Sequence, residues 1–330
     1  MKEITIGKND AGQRLDRFLR KALPKLPTGK MYKYIREKDI KLNGRRCEIS
    51  DRLKEGDILK LYIPDEFFGR DDLPKLSEGG INVIYEDENL IIVHKPAGLV
   101  VHEDSYGSSD TLIARITAYL TEKGEYDPAA EQSFAPALVH RIDRNTEGLV
   151  ICAKNAESLR ELNRMIKSRE IKKTYLCLTV GIPREREGSI KTYLEKDERD
   201  NTVYVRQKKT PASKTAVTNY RVLNTYGELA LCEVELVTGR THQIRVHMAY
   251  IGCPLLGDGK YGRNEPNRRY KAKYQALCAN RLMFDLTDKS SPLYYLCGRE
   301  FKSNEPEFIG KYCRCGNSLQ FDSKVKNKHT

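Results

Sequence analysis

An α+β fold, built on a mainly antiparallel mixed sheet and preceded by a small N-terminal α/β module, is what this sequence predicts. Three observations predict it. From Ile81 onward, short apolar runs are joined by hairpin-like turns more than by regular strand–helix–strand crossovers. Before that point, Leu15, Phe18, Leu19 and Leu23 recur at helical spacing and are followed by a strand–turn–strand pattern. Between the two lies DEFFGRDDLPKLSEGG, which is polar, carries Pro and Gly, and has no period. The expected organisation is a module at 1–65, a linker at 66–80, a large domain at 81–305 and a tail at 306–330, basic and loose after Asn317. A chain of 330 residues, 39% of them apolar, suffices for one large domain and a smaller one.

Within the module, Pro24 closes the first helix because it cannot continue one. A second short helix is expected over 31–38. Ile40-Lys41-Leu42 then enters an Asn43-Gly44 turn, a strong hairpin signal, and 53–63 returns as a strand past Gly56-Asp57. Basic side chains crowd this small unit, among them Arg14, Arg17, Lys33, Arg36, Arg45 and Arg46.

In the large domain, the apolar runs 81–84 and 90–93 flank a Glu-Asp-Glu-Asn turn and read as a hairpin. Leu112, Ile113, Ile116, Tyr119 and Leu120 mark a helix. Residues 149–152 read as a buried strand, and Asn155 is placed to cap a helix carrying Leu159, Leu162 and Ile166. Further strands are expected at 175–180, at 229–237 and around Val203 and Val205. Ile244, Met248 and Ile251 share one face of a helix.

The net charge of +12 suits a polyanionic partner, because each phosphate contact releases counterions. The nine Cys are scattered and odd in number, which fits a reducing compartment and no disulfide framework. The N-terminus opens on charged residues without an apolar signal core, and no run of 18 or more apolar residues occurs. A cytoplasmic protein without a membrane span is therefore expected.

Three segments carry chemistry. His94-Lys95-Pro96-Ala97-Gly98-Leu99-Val100-Val101-His102 breaks a strand with Pro and Gly into a shaped loop. In His140-Arg141-Ile142-Asp143-Arg144-Asn145-Thr146-Glu147-Gly148, one carboxylate stands between two arginines and a histidine, a setting that keeps it ionised or else a surface ion-pair cluster. Thr238-Gly239-Arg240-Thr241-His242-Gln243-Ile244-Arg245 joins a strand to a helix, where ligand groups often sit, and Gly257-Asp258-Gly259-Lys260-Tyr261-Gly262 follows as a turn-rich loop.

In this order HKPAGLVVH, HRIDRNTEG, KKTYLCLTVG and GRTHQIRVHMAYIGCPLLGDGKYG resemble the RluA family of pseudouridine synthases, from about residue 81 to 301. The N-terminal unit resembles the alpha-L RNA-binding module, which points to the bacterial subgroup that modifies large-subunit ribosomal RNA. The resemblance implies that Asp143 is the catalytic aspartate, that Tyr175 is the active-site tyrosine, and that Arg245 pairs with the aspartate. It implies further that Arg141 helps displace the target base and that Ile244 packs beside Tyr175 in the base pocket. Arg240 and His242, with Arg14, Arg17, Lys33, Arg36, Arg45 and Arg46, are expected to contact RNA. His94 stands where the family often has Asn, Glu147 where a small residue is common, and Cys253 where His is frequent. Glu147 is expected to add negative charge beside the RNA.

The implied reaction breaks the N1 glycosidic bond of a uridine, rotates the base and joins C5 to the sugar. It involves no redox change and no external group, so neither cofactor nor metal is expected. Asp143 can attack the anomeric carbon, attack C6, or remove a sugar proton; the residues leave all three open. The expected partner is structured RNA, large-subunit rRNA or a ribosome-assembly intermediate, with a transfer RNA target as the alternative; the protein is expected to be a monomer. A non-catalytic ribosome-assembly protein fits the charge equally but not the retained Asp143, Tyr175 and Arg245. A metal hydrolase lacks a His-Glu-x-x-His spacing, and Cys297, Cys313 and Cys315 lack the paired spacing of a zinc site.

Overall fold

The N-terminal module is built from β1 (Lys2–Thr5), α1 (Leu15–Ala22), α2 (Thr28–Arg36), β2 (Ile40–Leu42), β3 (Arg45–Arg46) and β4 (Ile58–Leu61). Its strands form an antiparallel sheet in the order β1-β4-β2-β3. Asn43 and Gly44 both have positive φ, 51° and 75°, as a two-residue hairpin turn of matching twist requires. Leu15, Phe18, Leu19, Met31, Ile35, Leu59 and Leu61 form the module's core, so the apolar faces of both helices are spent on the sheet. The basic side chains are left outside. Strand β1 was not legible in the sequence: its burial pattern is almost wholly exposed, and backbone pairing to β4 holds it.

This computed structural model describes residues 1–68, 79–103 and 107–313. Most of the expected linker, 69–78, lies outside the described residues, as does 314–330, which holds the stretch after Asn317 and Cys315. After the module come β5 (Asn82–Glu86), β6 (Leu90–Lys95), α3 (Leu112–Glu122), β7 (Ala137–Leu138), β8 (Glu147–Ala153), α4 (Ala156–Ser168) and β9 (Ile171–Val180). Then follow β10 (Glu187–Asp197), β11 (Thr202–Arg206), β12 (Lys214–Tyr226), β13 (Leu229–Leu236), α5 (Gln243–Tyr250), α6 (Asn264–Arg269), β14 (Leu277–Phe284), β15 (Glu300–Lys302) and α7 (Glu307–Tyr312). Helix α7 falls in the stretch expected as a tail, and its Phe308 and Ile309 are buried. Among the described residues no helix is long and apolar enough to cross a membrane.

The chain divides into two compact units. The first comprises Met1–Asn145, Leu149–Lys172 and Leu282–Phe301. Here β5 and β6 pair antiparallel with a bulge between Val83 and Tyr85, and the strand order is β8-β6-β5 with β7 against β8. Helix α3 is capped by Thr111, whose hydroxyl accepts from the Ala114 N–H, and α4 by Asn155, which accepts from the Ser158 N–H. Leu90, Ile92, Leu149, Ile151, Leu162, Met165 and Phe284 make its core. The N-terminal module is fastened within this unit: Asn9 donates to Glu131 at 2.6 Å and accepts from the Ala156 N–H at 3.1 Å, and Gln13 donates to Ser133 at 2.8 Å.

The second unit comprises Thr146–Gly148, Lys173–Arg281 and the chain from Lys302. Its strand order is β11-β10-β12-β13-β9-β14, antiparallel from β11 through β9. Strand β14 runs parallel to the start of β8, with Cys278 opposite Glu147 and Ala279 opposite Gly148, so the sheet is mixed and mainly antiparallel. Leu176, Leu178, Leu229, Leu231, Ala276 and Phe308 share one core.

Candidate active site

The first unit holds the loop of Asp143. Lys95, at the end of β6, is fully buried, yet its ammonium is well satisfied. It donates to the carbonyls of Pro96 (2.8 Å), Leu99 (2.7 Å) and Arg144 (2.9 Å), and the Gly98 N–H donates to the same Arg144 carbonyl at 2.9 Å. The HKPAGLVVH segment is thus a clamp that fixes the backbone next to Asp143. His140 is buried, and its Nε2 accepts from the Ile151 N–H at 3.3 Å. Asp143 is half-buried, while Arg141 and Arg144 are exposed. Burial and then the Arg141 charge lower the pKa of His102.

The end of that motif lies in the second unit, and its residues have structural reasons. Thr146 accepts from Gln275 at 3.1 Å and is buried. Gly148 has φ +113°, and a Cβ there would stand 2.4 Å from the Ala279 carbonyl oxygen, so only glycine lets β14 pass so close. Glu147 corrects an expectation: it is buried at the start of β8, opposite Cys278, rather than set out as charge for RNA.

Tyr175 is buried on β9, opposite Val234 of β13. Lys173 stands two residues earlier on the same strand face, and burial pushes its ammonium down. The strand-to-helix junction 238–243 is tied by Gln243, which is buried. Its carbonyl oxygen accepts from the Thr238 hydroxyl at 2.8 Å and the Arg240 N–H at 3.0 Å, and its amide donates to the Val217 carbonyl and the Thr218 hydroxyl. His242 takes the left-handed conformation, φ 53°, to start α5. Ile244 and Arg245 are both buried on the first turn. His247 is wholly buried between the hydroxyls of Thr218 (2.8 Å) and Thr192 (2.9 Å), and burial pushes it down to about 4.

Arg245 meets Asp258 side-on: Nε donates to one carboxylate oxygen at 2.7 Å and Nη2 to the other at 2.9 Å. Asp258 is 1% exposed. Burial alone would raise its carboxyl, but the Arg245 hydrogen bonds and charge, with the Tyr261 and Lys260 N–H groups, outweigh this and hold it below the ordinary carboxylate value. The Tyr261 ring lies 5.1 Å from the guanidinium carbon, and its hydroxyl meets His242 Nδ1 at 2.8 Å. In the sequence this loop reads as turns closing a motif of the family resemblance, with no role for Asp258 or Tyr261. The glycines were the available signal: a Cβ at Gly257 would stand 2.0 Å from the Tyr274 carbonyl oxygen, and one at Gly262 2.1 Å from the Asp258 carbonyl oxygen.

Of the residues expected to contact RNA, Arg240 is exposed, with its Nε bonded to the Thr215 carbonyl at 3.1 Å. In the module Arg14 is tied to Asp16 at 3.0 Å, and Lys33 and Arg46 lie near Glu37 and Glu48 at 3.9 and 3.8 Å. Among the described residues Arg17, Arg36 and Arg45 have no ionic partner. Also among the described residues, no group of three or more His, Cys, Asp and Glu is placed to hold a metal ion.

Residues 89–250 match the family model described as RNA pseudouridylate synthase, and residues 13–59 match the S4 domain. An uncharacterized RNA pseudouridine synthase of Bacillus subtilis is 31% identical over 286 residues, 86% of this chain and 89% of that one. The ribosomal large subunit pseudouridine synthase C of Rickettsia bellii is 34% identical, covering 82% of this chain and 89% of its own. A solved structure, human RNA pseudouridylate synthase domain containing 4, has the same fold at a TM-score of 0.54 and 22% identity, over 70% of this chain and 91% of that one.

Proposed function

The chain belongs to the RluA-type RNA pseudouridine synthases, and on that premise we propose that it isomerises specific uridines of large-subunit (23S) ribosomal RNA, with Asp143 as its catalytic carboxylate. One observation carries the reading. Asp143 stands in the HRIDRNTEG motif on a loop whose backbone, at the very next residue, is gripped by the buried Lys95 ammonium and the Gly98 N–H. A group that attacks or deprotonates a single sugar carbon must be held to within a fraction of an ångström.

The target nucleotide leaves its stack, at a cost of about a few kcal/mol in a duplex and less in a loop. Arg141, exposed beside Asp143, takes the vacated place. Asp143 acts as an ionised carboxylate on the sugar or on C6, the N1–C1′ bond breaks, and the detached uracil turns against Tyr175 and Ile244 before C5 joins C1′. Arg245 provides the counter-charge. C5 then gives up its proton to solvent and N1 takes one up, so the product is an isomer and electrons and groups balance without a donor. The S4-like module, with Arg17, Arg36 and Arg45 exposed on it, supplies phosphate contacts, and Arg240 and His242 add to them. Relatives named ribosomal large subunit pseudouridine synthase C support rRNA as the substrate class. The protein acts as a monomer in the cytoplasm, on rRNA or a ribosome-assembly intermediate.

Release of tritium from RNA labelled at uridine C5 tests the chemistry. Asp143→Asn is expected to lose at least about 1,000-fold in rate, while RNA affinity changes by less than about twofold; retained activity would remove Asp143 from the mechanism. Pseudouridine mapping of total RNA, with and without the gene, tests the substrate. The expected result is loss of sites in 23S rRNA, and loss confined to transfer RNA would overturn that assignment.

A further inference from the structure

We propose that Asp258 and Tyr261 are positioning residues for Arg245, and that they tie its guanidinium to the β10–β11 hairpin. The proposal rests on the reading that Arg245 belongs to the catalytic set. An arginine and an aspartate that are 8% and 1% exposed have given up their water, and a buried ion pair seldom repays that in stability. What it does provide is direction. A guanidinium is planar and presents its donors in a fixed fork. Asp258 takes the Nε and Nη2 edge, so the remaining donors can point only one way. Tyr261 lies against the guanidinium and opposes rotation out of that plane.

The brace is itself held. Asp258 accepts from the N–H groups of Lys260 (2.9 Å) and Tyr261 (3.0 Å), so its carboxylate cannot turn independently of the loop. The Tyr261 hydroxyl accepts from the Val203 N–H on β11 at 2.8 Å and meets His242, the residue that starts the helix carrying Arg245. The Lys260 ammonium donates to the carbonyls of Asp200 (2.8 Å) and Asn201 (3.2 Å) in the turn between β10 and β11. Four residues, 258 to 261, therefore connect the guanidinium to the hairpin by hydrogen bonds at both ends. Two of their flanking glycines have no room for a Cβ, which keeps the segment in this one path.

Single-turnover rates at saturating RNA, with RNA dissociation constants measured in parallel, test the proposal. Asp258→Asn is expected to slow the chemical step about 10- to 100-fold, with RNA affinity unchanged within about twofold. Tyr261→Leu, which leaves the ion pair in place, is expected to slow it about fivefold, and Tyr261→Phe, which keeps the ring, by less. In an Arg245→Ala background, adding Asp258→Asn is expected to change nothing further, because a positioning residue has no effect once its target is gone. A further fall in that background would overturn the proposal, as would wild-type rates for Asp258→Asn. Should Asp258→Asn fail to fold, Tyr261→Leu decides: an unchanged rate overturns the proposal. Wild-type activity in Arg245→Ala alone is a different failure, that of the catalytic role assigned to Arg245.

Discussion

At the scale of single residues, His247 sets a pH limit on the fold. Burial lowers its pKa from 6.5 to about 4, so the unfolded chain binds the proton more readily than the folded one. Between those two values the unfolded state carries more protons, and stability rises with pH. Full stability from this group is present above pH 6.5 and is lost as pH falls towards 4, a difference of about 3 kcal/mol from the shift at 1.36 kcal/mol per unit. The paired carboxylates act in a lower window. Glu86, for which burial is outweighed by hydrogen bonds from Lys123, Lys154 and Tyr119, is held at about 2, so its contribution disappears only below the ordinary value of 4.5. Urea unfolding at pH 7.0, 5.5 and 4.5 separates the two. Replacing His247 by Gln is expected to flatten the slope between pH 7 and 4.5, and an unchanged slope would assign that slope to other groups.

At the scale of elements, β6 ends in a clamp, and Lys95 is its centre. Replacing Lys95 by Met keeps the volume but takes a donor from three carbonyls, of which that of Arg144 keeps the Gly98 N–H. The expected cost is about 2–4 kcal/mol in unfolding free energy. The rate at saturating RNA should also fall about tenfold or more, as the loop of Asp143 loosens. Stability lost with the rate intact would make the clamp structural only. The elements also show what a sequence discloses. Helices α1, α3 and α4 were legible because each buries one stripe against a core, and α4 carries its cap at Asn155. The β5–β6 hairpin announced itself through turn residues between apolar runs, and Asn43-Gly44 marked the β2–β3 turn, but the strand returning from that turn is Arg45–Arg46, and of the strand expected at 53–63 the part that forms is Ile58–Leu61. Strands β10 and β12 did not, since long stretches of each alternate weakly, with Arg, Lys, Glu and Asn on the exposed face. Helix α6 is too short and polar to show a period, and α7 owes its place to Phe308 and Ile309 entering a core made by distant strands. The site divides the same way. The HRIDRNTEG loop stood out because its motif is local; the Arg245–Asp258 pair did not, because only the folded chain brings together two residues 13 apart in sequence.

At the scale of the whole molecule, the net charge of +12 is a statement about association, and its distribution decides which kinetic constant it moves. The N-terminal module is fastened to the body of the first unit through Asn9 and Gln13, the same unit that holds the loop of Asp143. Phosphates gripped by the module are therefore gripped equally before and during the chemical step, and uniform binding lowers KM without raising kcat. Arg45 and Arg46 stand exposed on β3; Arg45 has no ionic partner among the described residues, and the Arg46–Glu48 pair at 3.8 Å is too exposed to neutralise much. Replacing both by Ala is expected to raise KM about tenfold at roughly 0.15 M salt and leave kcat unchanged. The plot of log Kd against log salt should flatten by about 1–2 units, one for each phosphate left without its arginine. Filter binding across a salt series, with kcat and KM measured on the same RNA, checks both halves. A slope that does not move would mean these arginines touch no phosphate. A fall in kcat at constant KM would mean that the module orders the nucleotide for reaction rather than merely holding the RNA.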